Sequence, residues 1–115
     1  MLILVVDDDP MAAEMVAAIV EDVGYETIVA ENGLEALEIY TNKPNIDLVI
    51  SDMNMPLITG IELFQEIKGQ VPFILLSGDE PEAALQKEPG LNACLAKDFS
   101  LQESLINTIN QVMAK

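Results

Sequence analysis

The 115-residue sequence has no histidine, no arginine, no tryptophan and a single cysteine, Cys94. Without histidine, imidazole general-base chemistry and imidazole metal ligation are both excluded. One cysteine permits neither an internal disulfide nor a zinc cage, which sets the expectation of a reducing, cytoplasmic setting. Positive charge is scarce as well: five lysines stand against twenty acids, for a formal net charge of −15. A nucleic-acid duplex or an anionic membrane surface repels such a chain, so neither is an expected partner, whereas a cation is an expected guest. No apolar run approaches membrane-spanning length. The opening Met1-Leu2-Ile3-Leu4-Val5-Val6 has no basic segment and runs straight into acids, so it reads as a strand rather than a signal peptide.

Half of the residues are hydrophobic, enough for one packed core and one domain over residues 1–115. The apolar runs Leu2–Val6, Leu48–Asp52 and Val71–Ser77, with the shorter Glu26–Ala30 and Ala93–Ala96, read as five strands. The continuous runs suit parallel strands covered on both faces. Helices alternate with them. Asp9-Pro10 opens the first, which stops at Gly24. Asn32…Glu35, Thr59…Glu62 and Ser100…Glu103 have capping-box spacing and open three more. A short fifth helix is expected over Asp79–Lys87, broken by Pro89-Gly90. Expected inward stripes are Ala12, Met15, Ile19 and Val23 on the first helix, which leaves Met11, Ala17 and Ala18 near solvent. Leu34, Leu37, Ile39 and Tyr40 are the expected stripe on the second helix, and Leu101, Leu105, Ile109, Val112 and Met113 on the last. Cys94 reads as a small buried hydrophobe, and Met11, Met15, Met53, Met55 and Met113 as core and loop filling. The pattern is a doubly wound α/β domain.

The carboxyl ends of parallel strands share one edge, where open α/β sheets bind ligands. The first strand brings Asp7 and Asp8 there, the third Asp52, the fourth Ser77 and the fifth Lys97. Asp7 and Asp8 could be solvated capping acids, but only Asp9 is placed to cap. Ser77 could be an ordinary strand-end hydroxyl. Three gathered carboxylates repel one another unless a cation joins them. An all-oxygen donor set suits Mg²⁺. A lysine and a hydroxyl nearby suit phosphoryl oxygens. The cluster therefore points to phosphoryl transfer onto a carboxylate, with Asp52 as nucleophile.

Four motifs in this order resemble the receiver domain of two-component response regulators, the CheY-like superfamily. They are Val5-Val6-Asp7-Asp8-Asp9-Pro10, Asp52-Met53-Asn54-Met55-Pro56 with Gly60, Leu76-Ser77-Gly78, and Lys97. The resemblance covers essentially the whole chain. It implies a flavodoxin-like fold with strand order 2-1-3-4-5 and five helices. It also implies that Asp52 accepts a phosphoryl group from a sensor histidine kinase or a histidine phosphotransfer protein. Asp8, Asp52 and the main-chain carbonyl of Asn54 would ligate Mg²⁺, with Asp7 acting largely through a bound water. Lys97 and Ser77 would bind phosphoryl oxygens. The chain is then no enzyme beyond its own phosphorylation and dephosphorylation, and it would signal through contacts with an output partner. Three departures fall on the face the family uses for output, one of them a segment from Ser77 to Lys97 that is about two residues shorter than usual and contains Pro89. Asp98 stands where the family usually has a proline after the lysine, and Cys94 stands where it commonly has a switch aromatic. The rival readings are a pseudo-receiver that binds without being phosphorylated and an aspartyl phosphatase. The latter resembles Asp-x-Asp, and Asn54 here lacks the second acid.

Overall fold

A computed structural model describes residues 2–42, 45–67, 70–77, 91–97 and 100–113. The five apolar runs form β1 (Leu2–Val6), β2 (Glu26–Ala30), β3 (Leu48–Asp52), β4 (Phe73–Ser77) and β5 (Ala93–Ala96). They pair in parallel in the order β2-β1-β3-β4-β5. Among the described residues the helices are α1 (Pro10–Asp22), α2 (Gly33–Asn42), α3 (Gly60–Ile67) and α4 (Leu101–Met113). The helix expected over 79–87 lies outside the described residues, as does Asp98.

The sheet is apolar on both sides because helices cover both sides. On one side Leu4, Val6, Val49, Phe73 and Leu75 pack with Ala36 of α2 and with Leu63, Phe64 and Ile67 of α3. Phe64 meets Phe73 edge to face, with ring centroids 5.4 Å apart. On the other side Ile3, Val5, Leu48, Ile50, Ile74 and Leu76 pack with Val16, Ile19 and Val20 of α1 and with Leu101, Leu105 and Ile109 of α4. β3 lies at the centre, paired with β1 and β4, and every one of its residues is buried. The one residue of this core strand that carries a charge is its last, Asp52.

Three local readings differ from the sequence expectation. The inward stripe of α1 is Ala13, Val16, Ala17, Ile19 and Val20, while Met15 and Val23 are exposed. That helix is apolar almost all round, so its charges decide the face: Glu14, Glu21 and Asp22 must reach water, and the buried stripe is the one opposite them. Met11 and Met15 consequently lie on the surface rather than filling the core. On α2 Leu34 is also exposed, because Gly33 packs against Ile58 at the helix start and Ala36 carries the inward line. β4 begins at Phe73 rather than at residue 71. Pro72 has no N–H to give a ladder, although its carbonyl still accepts the amide of Val49 at 3.1 Å.

Candidate functional site

Two of the three expected capping boxes fall wholly within the described contacts and set the helix starts around the carboxyl edge. Thr59 and Glu62 cap reciprocally: the Glu62 amide donates to Thr59 Oγ1 at 3.2 Å, and the Thr59 amide donates to Glu62 Oε1 at 2.9 Å. At α2 the Glu35 amide donates to Asn32 Oδ1 at 2.8 Å, but the Glu35 carboxylate returns to the amide of Glu31, one residue further out. Asp9 caps α1 by accepting the Met11 amide at 3.0 Å, with Pro10 as the first helical residue.

β3 delivers Asp52 and then turns sharply. The Met53 amide donates to the Leu76 carbonyl at 2.8 Å, and the Met53 carbonyl accepts the Gly60 amide at 2.8 Å. α3 thus starts directly against the strand end. A Cβ on Gly60 would collide with the Asp52 carbonyl oxygen, so only glycine allows this approach. Within the turn the Ile58 amide donates to the Pro56 carbonyl at 2.8 Å across Leu57, whose φ is +73°. This is a γ-turn of the strained hand, carried by an exposed leucine.

The three consecutive aspartates divide the work. Asp7 is buried, and its two oxygens are held separately: Oδ1 accepts the Asp9 amide at 2.9 Å, and Oδ2 faces Lys97 Nζ at 2.8 Å. Asp8 is exposed, and Asp9 caps the helix. Lys97 is carried to the site by β5, whose pairing continues one step as the Lys97 amide donates to the Ser77 carbonyl at 2.9 Å. Its ammonium bridges two carboxylates, with Asp52 Oδ1 at 2.7 Å and Asp7 Oδ2 at 2.8 Å. The side chain of Asp52 is only 10% exposed.

Carboxylate oxygens of Asp7, Asp8 and Asp52 come within 4.8 Å of one another. Burial pushes the Asp52 carboxyl above its ordinary value; Lys97 opposes that shift, and the charges of Asp7 and Asp8 reinforce it. Burial alone would lower the Lys97 ammonium, but its hydrogen bonds and charge contacts with Asp52 and Asp7 outweigh that and leave it raised. One lysine does not neutralise three carboxylates, so the cluster keeps a net negative charge. Its donors are all hard oxygens, a set suited to a small divalent cation and unsuited to a soft one.

The structure therefore brings Asp7, Asp8, Asp52 and Lys97 together, and Ser77 ends the adjacent strand, fully buried. Asn54 is exposed on the loop that follows Asp52. Cys94 is buried, as its apolar neighbours in the sequence suggest, and burial pushes its thiol up, away from reactivity. Sequence reasoning gave Met53 only a filling role, whereas its sulfur lies 3.7 Å from Ser77 Oγ. The signal was available in the register: Asp52 pairs with Leu76, so the residues that follow them, 53 and 77, are neighbours.

The chain is 34% identical to the transcriptional regulatory protein CpxR homolog of Haemophilus influenzae, over 98% of its own length and 50% of that protein. It is 35% identical to the sensor histidine kinase RcsC of Escherichia coli, over 88% of its length and 11% of that protein. The chain thus spans half or less of these relatives. Among solved structures, the response regulator protein TrrA of Thermotoga maritima, in complex with Mg²⁺-BeF, superposes with a TM-score of 0.85 at 31% identity, covering 97% of this chain and 98% of that one. A family profile described as the response regulator receiver domain matches residues 3–110, and the chain belongs to that family.

Proposed function

We propose that these 115 residues act as one receiver unit that takes a phosphoryl group on Asp52 and passes the signal on through protein contacts. The observation that carries this reading is the buried Asp52 carboxylate, held 2.7 Å from Lys97 within the Asp7–Asp8–Asp52 cluster at the sheet's carboxyl edge. A carboxylate oxygen of Asp52 attacks phosphorus, the P–N bond of the donor phosphohistidine breaks, and the imidazole leaves with the electron pair. Asp8, Asp52 and the Asn54 main-chain carbonyl would hold Mg²⁺, with Asp7 reached through a water. When bound, that ion neutralises charge on the phosphoryl oxygens. Lys97 exchanges its contact with Asp52 for a phosphoryl oxygen, and the Ser77 hydroxyl takes another. The chain's own contribution is positioning and charge, which is most of what phosphoryl transfer requires.

The donor is a histidine kinase or a histidine phosphotransfer protein. Beside the site, α1 carries Met11, Met15 and Ala18 on its solvent face, one turn apart and next to the acidic edge. An apolar stripe of this kind suits a helical phosphohistidine domain. Incubation with acetyl phosphate and Mg²⁺ tests the reading. One base-labile, hydroxylamine-labile phosphoryl group per chain is the expected result, with none on Asp52→Asn. A chain that binds Mg²⁺ and stays unlabelled would be a pseudo-receiver. Ala18→Glu should slow labelling by a phosphohistidine protein several-fold and leave acetyl phosphate labelling unchanged; equal loss with both donors would remove α1 from the interface.

A further inference from the structure

Met53 follows Asp52 directly, and its backbone has no freedom: its amide is held by Leu76 and its carbonyl by Gly60, both at 2.8 Å. Its side chain is therefore delivered from a fixed point onto the end of β4. There Sδ lies 3.7 Å from the hydroxyl of Ser77, a residue with no exposed surface. The hydroxyl donates and the thioether accepts. A thioether is among the weakest acceptors a side chain offers, while a phosphoryl oxygen is among the strongest.

We infer that Met53 is a positioning residue for Ser77: its thioether holds the hydroxyl in the resting orientation, weakly enough for a phosphoryl group on the neighbouring Asp52 to capture it. The inference rests on the phosphoryl reading of the site. Its physical content is the strength of one acceptor. A stronger acceptor at position 53 tightens the hold on Ser77, and the loss of the acceptor loosens it. The backbone lock matters because a drifting side chain would impose no orientation. The unbranched methionine also lets Sδ reach Ser77 without moving the strand end.

Two variants of similar volume separate acceptor strength from packing. Met53→Leu removes the acceptor, and Met53→Gln replaces it with an amide carbonyl. Position 53 is only partly buried, so both side chains are accommodated. The readout is the concentration of beryllofluoride, with Mg²⁺, that half-saturates the amide NMR shifts of the site. Met53→Gln should raise that midpoint about threefold to tenfold, and Met53→Leu should lower it by about twofold to threefold, the range of one modest hydrogen bond. In a Ser77→Ala background the three side chains at 53 should give the same midpoint. Three-bond couplings of Ser77 in the free protein should show its χ1 distribution narrowing with Gln and broadening with Leu. A parent chain that responds to beryllofluoride, with both variants matching it, overturns the role of Met53 alone. The same spread in the Ser77→Ala background also overturns it, because the effect would then be packing. A parent chain with no response to beryllofluoride, while the Ser77 couplings still follow residue 53, overturns the phosphoryl reading and the positioning role with it.

Discussion

The two edges of the sheet are built from the same five strands and treat polar groups in opposite ways. At the amino edge, polar side chains stay at the surface. Asp47 accepts the Leu2 amide at 2.9 Å, and Tyr40 donates to Gln70 at 2.9 Å, both exposed bonds. At the carboxyl edge Asp7, Asp52 and Ser77 are buried, and a lysine is pulled in to bridge the two acids. Burying a charge is costly even when it is paired, and a hydrophobic triad would fold as well or better. The amino edge shows that this chain can end its strands without that cost. On the proposed reading the charge at the other edge serves chemistry rather than stability, and the strained Leu57 turn lies on the same side.

The comparison breaks most visibly at Gly60. Gly60→Ala drives a Cβ into the Asp52 carbonyl and should cost about 3 kcal/mol, with loss of labelling at Asp52, read from chemical denaturation and phosphorylation. Lys97→Ala leaves two buried carboxylates facing each other and should cost about 2 kcal/mol, less than a fully buried pair because the lysine is partly solvated. The Lys97 contribution also has a pH signature. Its folded pKa is raised, so its stabilisation is complete below the ordinary lysine value of about 10.4 and is lost as pH rises through the folded value. Mg²⁺ should stabilise the native state by about 1.4 kcal/mol at tenfold excess over Kd, read as a higher melting temperature. Asp8→Asn should abolish that response and should itself stabilise the metal-free fold slightly, by relieving repulsion; a variant that melts lower and still responds to Mg²⁺ would remove Asp8 from the metal site.

Asp52 gives the same pH sign in a lower window. Its folded pKa is raised, so the native state binds more protons than the unfolded chain between the ordinary value and the raised one, and stability falls as pH rises through that window. Asp52→Asn removes this dependence. The stability difference between parent and variant should therefore widen with pH up to the raised value and then stay constant. The smallest effects belong to the amino edge: Tyr40→Phe and Asp47→Ala, which each lose one exposed hydrogen bond, should cost at most about 1 kcal/mol and leave labelling intact.

Much of this was legible in the sequence because strand ends and caps are local signals. The runs ending in Asp52, Ser77 and Ala96 fixed where Asp52, Ser77 and Lys97 would meet, and parallel strand order did the rest. The α1 face was misread because hydrophobic periodicity carries little information in a helix that is nearly all apolar. The few charges, Glu14, Glu21 and Asp22, were the better guide. Leu34 was misread because inward packing at the start of α2 is decided by Gly33 against Ile58, a tertiary contact with no periodic signature. The pairing of Lys97 with both Asp7 and Asp52, and of Ser77 with Met53, depends on side-chain placement at 3–4 Å, which register suggests and only coordinates resolve.

The central claim is that Asp52 itself carries the phosphoryl group. Labelling the chain with acetyl phosphate and Mg²⁺, reducing it with borohydride and mapping the peptides by mass spectrometry tests this directly, because borohydride reduces an acyl phosphate to the alcohol and leaves a free carboxylate untouched. The account predicts homoserine at position 52 and nowhere else. An intact Asp52 with a phosphate ester on Ser77 would contradict it.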